Sequence, residues 1–312
     1  MMSIKPIVFC LGIFPAVALA DDFYISSQSG NHLSLFDSKT VQITKAVEVS
    51  SGPVMVAVDK SNDAIYLSHP EQGKLSVIDL NSFELIHEIK TGGQPFAMVL
   101  DSQKSQLFVT DWSRNALLVI NTTSRQLVDL LAVGESPAGI AIDPDGRKVF
   151  VANRESNSVM VLDADTPDLH ATIETGERPY AVAFNPINGH LYVTCVKDNS
   201  LTVIDTKTYE KTADLKPGKA PYGVTVSDDG KRFYVVNQND NTLVEFDAGS
   251  LQITQTIKTE KMPESVELSK DQQHAYIINW FSNSLSIIDL QQGKQTSSIP
   301  LKEGPRKISP AQ

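Results

Sequence analysis

The chain is built on a ruler. An aromatic followed by an aliphatic residue stands at Tyr24-Ile25, Tyr66-Leu67, Phe108-Val109, Phe150-Val151, Tyr192-Val193, Tyr234-Val235 and Tyr276-Ile277, each 42 positions after the one before. Thirteen residues beyond each aromatic comes Asp37, Asp79, Asn121, Asp163, Asp205, Asp247 or Asp289. Pro53, Pro95, Pro137, Pro179, Pro221, Pro263 and Pro305 keep the same step. Seven copies in register, with no insertion or deletion, leave few folds open, because a fixed period of this length marks a repeat architecture.

One unit shows what is repeated. Pro179–Asn185 reads as a first strand that turns at Pro186-Ile187-Asn188-Gly189, and Asn-Gly is a strong hairpin signal. His190–Thr194 is a second strand, and a turn around Asp198-Asn199-Ser200 leads to a third, Leu201–Ile204. Asp205 ends it, its carboxylate placed to accept from nearby backbone N–H groups. Glu210–Leu215 is the fourth and most polar strand, as suits an outer edge. Four strands in about 42 residues make a β-propeller blade. Helical solenoids need a 3.6-residue period that is absent here, and parallel β-helices use shorter repeats. A single blade cannot bury both faces, so the fold class is all-β: seven four-stranded antiparallel blades packed face to face.

The two ends of the array fit a closed ring. Phe23–Ser26 is a second strand with no first strand before it, while Gly304-Pro305-Arg306-Lys307-Ile308-Ser309 is a first strand with nothing after it. The C-terminal segment is therefore expected to pair with the N-terminal strand and complete one composite blade, hiding two sheet edges.

The first twenty residues read as a secretory signal peptide: Lys5 is their only charge, an apolar stretch runs from Ile7 to Leu19, and Ala18-Leu19-Ala20 gives a small-x-small cleavage pattern. Pro6 and Pro15 interrupt that stretch too closely for a membrane span, and Phe9 before Cys10 is too bulky for a lipidation box. Residues 21–312 are then one propeller domain, in the periplasm or secreted after cleavage near Ala20, expected to be monomeric and without a membrane span. Cleavage leaves Cys195 as the one thiol. That excludes an internal disulfide, c-type haem attachment and a cysteine-based zinc site. Lys plus Arg total 27 against 37 Asp plus Glu, a net charge of -10, which argues against a nucleic-acid binder.

Leu191-Tyr192-Val193-Thr194 followed by Asn199 to Asp205 resembles the YVTN β-propeller repeat, as do Phe150–Asn153 with Asn157 to Asp163 and Tyr234–Asn237 with Asn241 to Asp247. The resemblance covers residues 21–312 and is to the exported, seven-bladed YncE-like proteins of bacteria. It implies a periplasmic or surface-exposed scaffold that binds ligands or partners, and it supplies no mechanism.

Positions that agree across the repeats mostly serve the fold, so the departures are the better functional candidates. Residues flanking the prolines and ending the second strands should gather at one mouth of the central channel. The residue after each proline is Val54, Phe96, Ala138, Tyr180, Tyr222, Glu264 or Arg306. The second strands end at Ser27, His69, Asp111, Asn153, Cys195, Asn237 and Asn279, followed by Gln28, Pro70, Trp112, Arg154, Val196, Gln238 and Trp280. With Arg178 before its proline, this reading predicts a mouth with aromatic walls (Trp112, Trp280, Phe96, Tyr180, Tyr222) and cationic donors (Arg154, Arg178, Arg306), flanked by His69, Asp111 and Glu264. Such a mouth suits a small molecule, a peptide or an envelope protein, with aromatics giving contact area and guanidinium forks gripping an anion. The competing reading is architectural: the tryptophans cap the sheets and the arginines pair with Asp111 and Glu264.

No cofactor and no catalytic residue is expected under this reading. The enzymatic alternative is a lactonase-like hydrolase or lyase holding calcium or another divalent cation in the channel through Asp111, Asn153, Asn237, Asn279 and Glu264. Two single residues carry expectations of their own. Cys195 reads as a small buried apolar group in preference to a reactive thiol. Glu245, at a third-strand position that is Leu35, Val77, Val119, Val161, Val203 or Ile287 elsewhere, needs a cationic or hydroxyl partner.

Overall fold

The second and third strands of each unit are apolar on both faces because both faces meet a neighbouring sheet. Tyr66, Leu75 and Val77 of one blade share a core with Leu107, Val109 and Leu118 of the next. Tyr192, Leu201 and Val203 do the same with Phe233, Val235 and Phe246. The fourth strands are mostly exposed, as at Glu210–Leu215. The computed structural model describes residues 21–143, 147–166 and 168–311; the expected signal peptide lies outside the described residues.

Seven sheets result, each of four antiparallel strands. Blade 2 consists of Val56–Asp59, Ala64–His69, Lys74–Asp79 and Leu85–Lys90. Blades 3 to 7 follow in chain order, opening with the strands Pro95–Asp101, Pro137–Ile142, Pro179–Asn185, Pro221–Val226 and Pro263–Leu268. Blade 1 is composite: Asp22–Ser27, His32–Asp37 and Gln42–Glu48 are joined by Pro305–Pro310 as the innermost strand. Tyr24 pairs with Ser309 and Ile25 with Ile308, and Gln28 N–H donates to Gly304 O at 2.7 Å. The expected closure is the one observed.

The aspartates of the ruler cap the turn after each third strand. Asp205 accepts from the N–H groups of Lys207 (2.7 Å) and Thr208 (3.1 Å), and Asp37, Asp79, Asp163 and Asp247 repeat the pattern. Those donated hydrogen bonds hold the carboxyls of Asp79, Asp163, Asp205 and Asp247 below their usual range. Glu245 has its hydroxyl partner: Thr254 Oγ1 donates to Oε1 at 2.7 Å, and Arg232 stands 3.9 Å from Oε2. Cys195 is fully buried, and burial pushes its thiol pKa up.

Candidate functional site

The ring of post-proline residues is placed by two local devices. The first is a latch. Asn31, Asn115, Asn157, Asn199, Asn241 and Asn283 sit at one repeat position, between second and third strands, with φ between 49° and 57°. Asparagine tolerates that left-handed backbone. Each side-chain carbonyl accepts from the residue before the next blade's proline, as Arg178 N–H does from Asn157 (2.9 Å) and Met262 N–H from Asn241 (2.9 Å). Blade 2 has Gly73 at this position, and there Asp111 takes over, accepting from Gln94 N–H at 3.0 Å.

The second device is a bulge. Pro179 pairs with Cys195 and Val182 with Val193, so Tyr180 and Ala181 oppose the single residue Thr194. The same shift follows Pro95, Pro137 and Pro221, and a one-residue version leaves Glu264 and Arg306 unpaired. A bulge re-aims its side chain, here toward the channel mouth. Hydroxyls opposite the bulges tie it in place: Thr194 Oγ1 accepts from Ala181 N–H and donates to Tyr222 O of the next blade (2.8 Å), and Thr110 serves Ala97 and Ala138 alike. Gly223 belongs to the same arrangement, since a Cβ there would lie 2.5 Å from Glu264 O.

Around the ring the post-proline residues form two arcs. Val54, Phe96 and Ala138 are buried and apolar. Tyr180, Tyr222, Glu264 and Arg306 carry polar groups. An aromatic staircase joins the arcs: Trp112 meets Phe96 edge-on (centroids 5.3 Å apart), Phe96 meets Tyr180 (5.9 Å), and Tyr180 lies against Tyr222 (4.0 Å). The Arg154 guanidinium lies over the Trp112 indole, 5.4 Å from its centroid, a contact worth about 0.5–1 kcal/mol. Glu155 steadies it through an ion pair with Nη1 and also approaches Arg178 Nε at 3.5 Å.

These side chains enclose two spaces. The outer one, about 210 Å³, is lined by Phe96, Trp112, Arg154, Tyr180, Val196, Tyr222 and Arg306. The inner one, about 170 Å³, lies in the channel against Met55, Met98, Ile140, Val224, Glu264 and Val266. Tyr180, Tyr222 and Arg306 line both and form the partition between them.

Behind the partition, Arg306 Nη1 donates to Glu264 Oε1 at 2.8 Å, and Gln238 Nε2 donates to the same oxygen at 3.0 Å. The Glu264 side chain is 4% exposed and that of Arg306 17%. Burial drives the Glu264 pKa from 4.5 up to about 7 against the opposing pull of Arg306 and Gln238. Burial likewise raises the phenol pKa values of Tyr180 and Tyr222.

The structure thus brings together Phe96, Trp112, Arg154, Tyr180, Tyr222, Glu264 and Arg306. The other predicted residues lie elsewhere. Trp280 lines a separate shallow hollow with Ser29, Phe281, Asn283, Glu303 and Gly304. Arg178 lines neither the outer nor the inner space. His69 is buried with Nδ1 at 3.0 Å from Ser51 O, and burial lowers its pKa. Asp111 accepts from Arg114 Nε at 2.8 Å as well as from Gln94, so its charge is met within its own loop, and by Arg114 rather than by Arg154 or Arg178.

The cation-ligand set is likewise dispersed. Asn237 donates to Pro217 O and Thr242 Oγ1, Asn279 to Ser284 and Ser286, and Asn153 packs under Gly134. Of that set only Glu264 lines the channel spaces. Among the described residues, no group of three or more His, Cys, Asp or Glu is placed to hold a metal ion.

Three contributors went unsingled by sequence reasoning: Gln238, Val196 and the Lys307–Glu267 ion pair (2.9 Å) deeper in the channel. Gln238 and Val196 share the repeat position of Trp112 and Arg154, which was their available signal. Lys307 is a cation where the other blades carry Met55, Ala97, Gly139, Ala181, Gly223 and Ser265.

Comparison with known proteins agrees with this architecture. Solved structures similar to the chain include hydrazine synthase of Kuenenia stuttgartiensis (TM-score 0.78, 23% identity, covering 85% of this chain and 91% of that one). A functionally unknown protein of Desulfotomaculum acetoxidans superposes with TM-score 0.82 at 16% identity, covering 93% and 98%. The periplasmic gluconolactonase PpgL of Pseudomonas aeruginosa gives 0.80 at 16% identity, covering 94% and 99%. At these identities the likeness is one of fold. No curated protein matches by sequence. A model for a domain of unknown function (DUF5074) matches residues 14–175. The model for the YNCE-like beta-propeller matches residues 98–263, more than half of the sequence, and the chain belongs to that family.

Proposed function

We propose that this protein is an exported binding module that takes a compact ligand with a planar apolar body and an anionic group at one mouth of its channel. The observation that carries the reading is the outer space of about 210 Å³, walled by Trp112, Phe96, Tyr180 and Tyr222 and bearing two guanidinium groups, Arg154 and Arg306, with no carboxylate among its lining residues. The carboxylates that balance these arginines, Glu155 and Glu264, stand beside and behind them. In a protein of net charge -10 such a placement supports anion selection. Calorimetric titration with benzoate, and with benzyl alcohol as its uncharged counterpart, tests it. Benzoate is expected to bind the better of the two and to lose affinity in Trp112→Ala but not in Trp280→Ala. Equal binding of both compounds, or no effect of Trp112→Ala, would sink the reading. Export rests on the leader pattern of residues 1–20, and N-terminal sequencing of the protein from an envelope fraction, expected to begin at Asp21, checks it.

A second reading is enzymatic, and one observation favours it: a buried carboxyl poised near neutrality, Glu264, beside a guanidinium and two phenols. A group with such a pKa suits general acid–base work. Acid release from glucono-δ-lactone, followed at constant pH with and without calcium, tests this reading. Turnover that disappears in Glu264→Gln would support it, and absence of turnover by the native protein would remove it.

A further inference from the structure

We infer that the Glu264–Arg306 pair makes the mouth take up an organic carboxylate together with a proton, so that the anion binds most tightly when Glu264 is neutral. This rests on the reading of the mouth as an anion site and adds its regulation. The geometry is a stack of three layers. Glu264 is at the back, 4% exposed; the Arg306 guanidinium stands in front of it, 17% exposed; and the outer space opens beyond. A carboxylate entering from the mouth meets a guanidinium whose charge is already met by Glu264 at 2.8 Å. Two carboxylates on one largely buried guanidinium repel each other, and the more buried one yields by taking a proton.

The surroundings leave Glu264 as the group that gives way. Its Oε1 accepts from both Arg306 and Gln238, so a neutral Glu264 keeps Gln238 as a partner while the guanidinium turns to the ligand. Blade 6 presents Tyr222 and Gln238, blade 5 presents Tyr180, and the closing strand presents Arg306 and Lys307. Burial holds both phenols above their usual range. Lys307 is engaged by Glu267, from the same strand as Glu264, at 2.9 Å. The Glu264 pKa of about 7 in the unliganded mouth puts the exchange within the range of ordinary buffers.

Titration calorimetry of benzoate into the full chain at pH 5.5, 6.5, 7.5 and 8.5 tests the inference, each in two buffers of different ionisation enthalpy. Benzoate stays ionised throughout. Affinity is expected to fall by up to about tenfold per pH unit above neutrality, with proton uptake on binding that the two buffers reveal. Glu264→Gln should bind with one affinity at every pH, close to that of the native protein at pH 5.5. Native protein that binds benzoate with a flat pH profile and no proton uptake overturns the inference and leaves the anion site standing. A pH dependence that persists in Glu264→Gln overturns it too. Absence of benzoate binding at every pH overturns both. The buffer comparison on the native protein needs no variant, so absence of proton uptake overturns the inference even if Glu264→Gln does not fold.

Discussion

The two arcs of the channel mouth occupy one repeat position and differ most in the side chain it carries. In blades 2 to 4 the post-proline residues Val54, Phe96 and Ala138 join Ala97 and Tyr180 in one buried apolar cluster. In blades 5 to 7 and the closing strand the same position holds Tyr180, Tyr222, Glu264 and Arg306, with a buried ion pair at its end. One arc repeats what the fold needs, burial of carbon. The other places charge where desolvation is costly and pairing only partly offsets it. The repeat fixes the place of a side chain, and departure from the repeat supplies the chemistry.

The largest expected effect comes from removing the strand that supplies Arg306. Truncation after Lys302 deletes the pairing of residues 305–310 with residues 23–27 and the fully buried Ile308. The melting temperature should fall by on the order of 10 °C or more, and an unchanged melt would show that the polar arc is not built on closure. Next comes the apolar arc: Phe96→Ala empties a site packed against Trp112 and Tyr180 and should cost about 3–5 kcal/mol in urea unfolding. A loss below about 1 kcal/mol would erase the proposed contrast.

The polar arc should show the opposite sign. The folded-state pKa of Glu264 is raised from 4.5 to about 7, so its protonated form favours folding. That contribution is fully present below about pH 4.5 and is lost as pH rises through about 7, a swing of about 3 kcal/mol at most. Glu264→Gln should therefore unfold at higher urea than the native protein at pH 8 and at the same urea at pH 4.5. A variant weaker at pH 8 would show that the ion pair stabilises on balance. The smallest effect is at the two tryptophans. Trp112→Ala removes the surface under Arg154 and should weaken benzoate binding by about 1 kcal/mol, while Trp280→Ala leaves it unchanged.

The ring, its blade count and its closure were legible because identical residues recur at one step, and the step alone dictates which strands are equivalent. The mouth was legible for the same reason, since Phe96, Tyr180, Tyr222, Glu264 and Arg306 share one position. What the period could not convey is which partner each side chain meets. Asp111 looks like a free anion until Gly73 is seen to lack the carbonyl that Asn31 and Asn115 provide, which commits Asp111 to Gln94. Trp112 and Trp280 share a repeat position, yet four blades separate them in a ring of seven, and they line different hollows. Gln238 reads as an ordinary polar residue because its value lies in Glu264, which arrives from the next blade.

Arg306 reaches the mouth on the strand that closes the ring, pairing there beside residues 23–27. Without that strand every aromatic of the staircase would remain and the Arg306 guanidinium would be missing from the wall. Sealing the ring and finishing the wall of the mouth are therefore one and the same event, carried by a single strand.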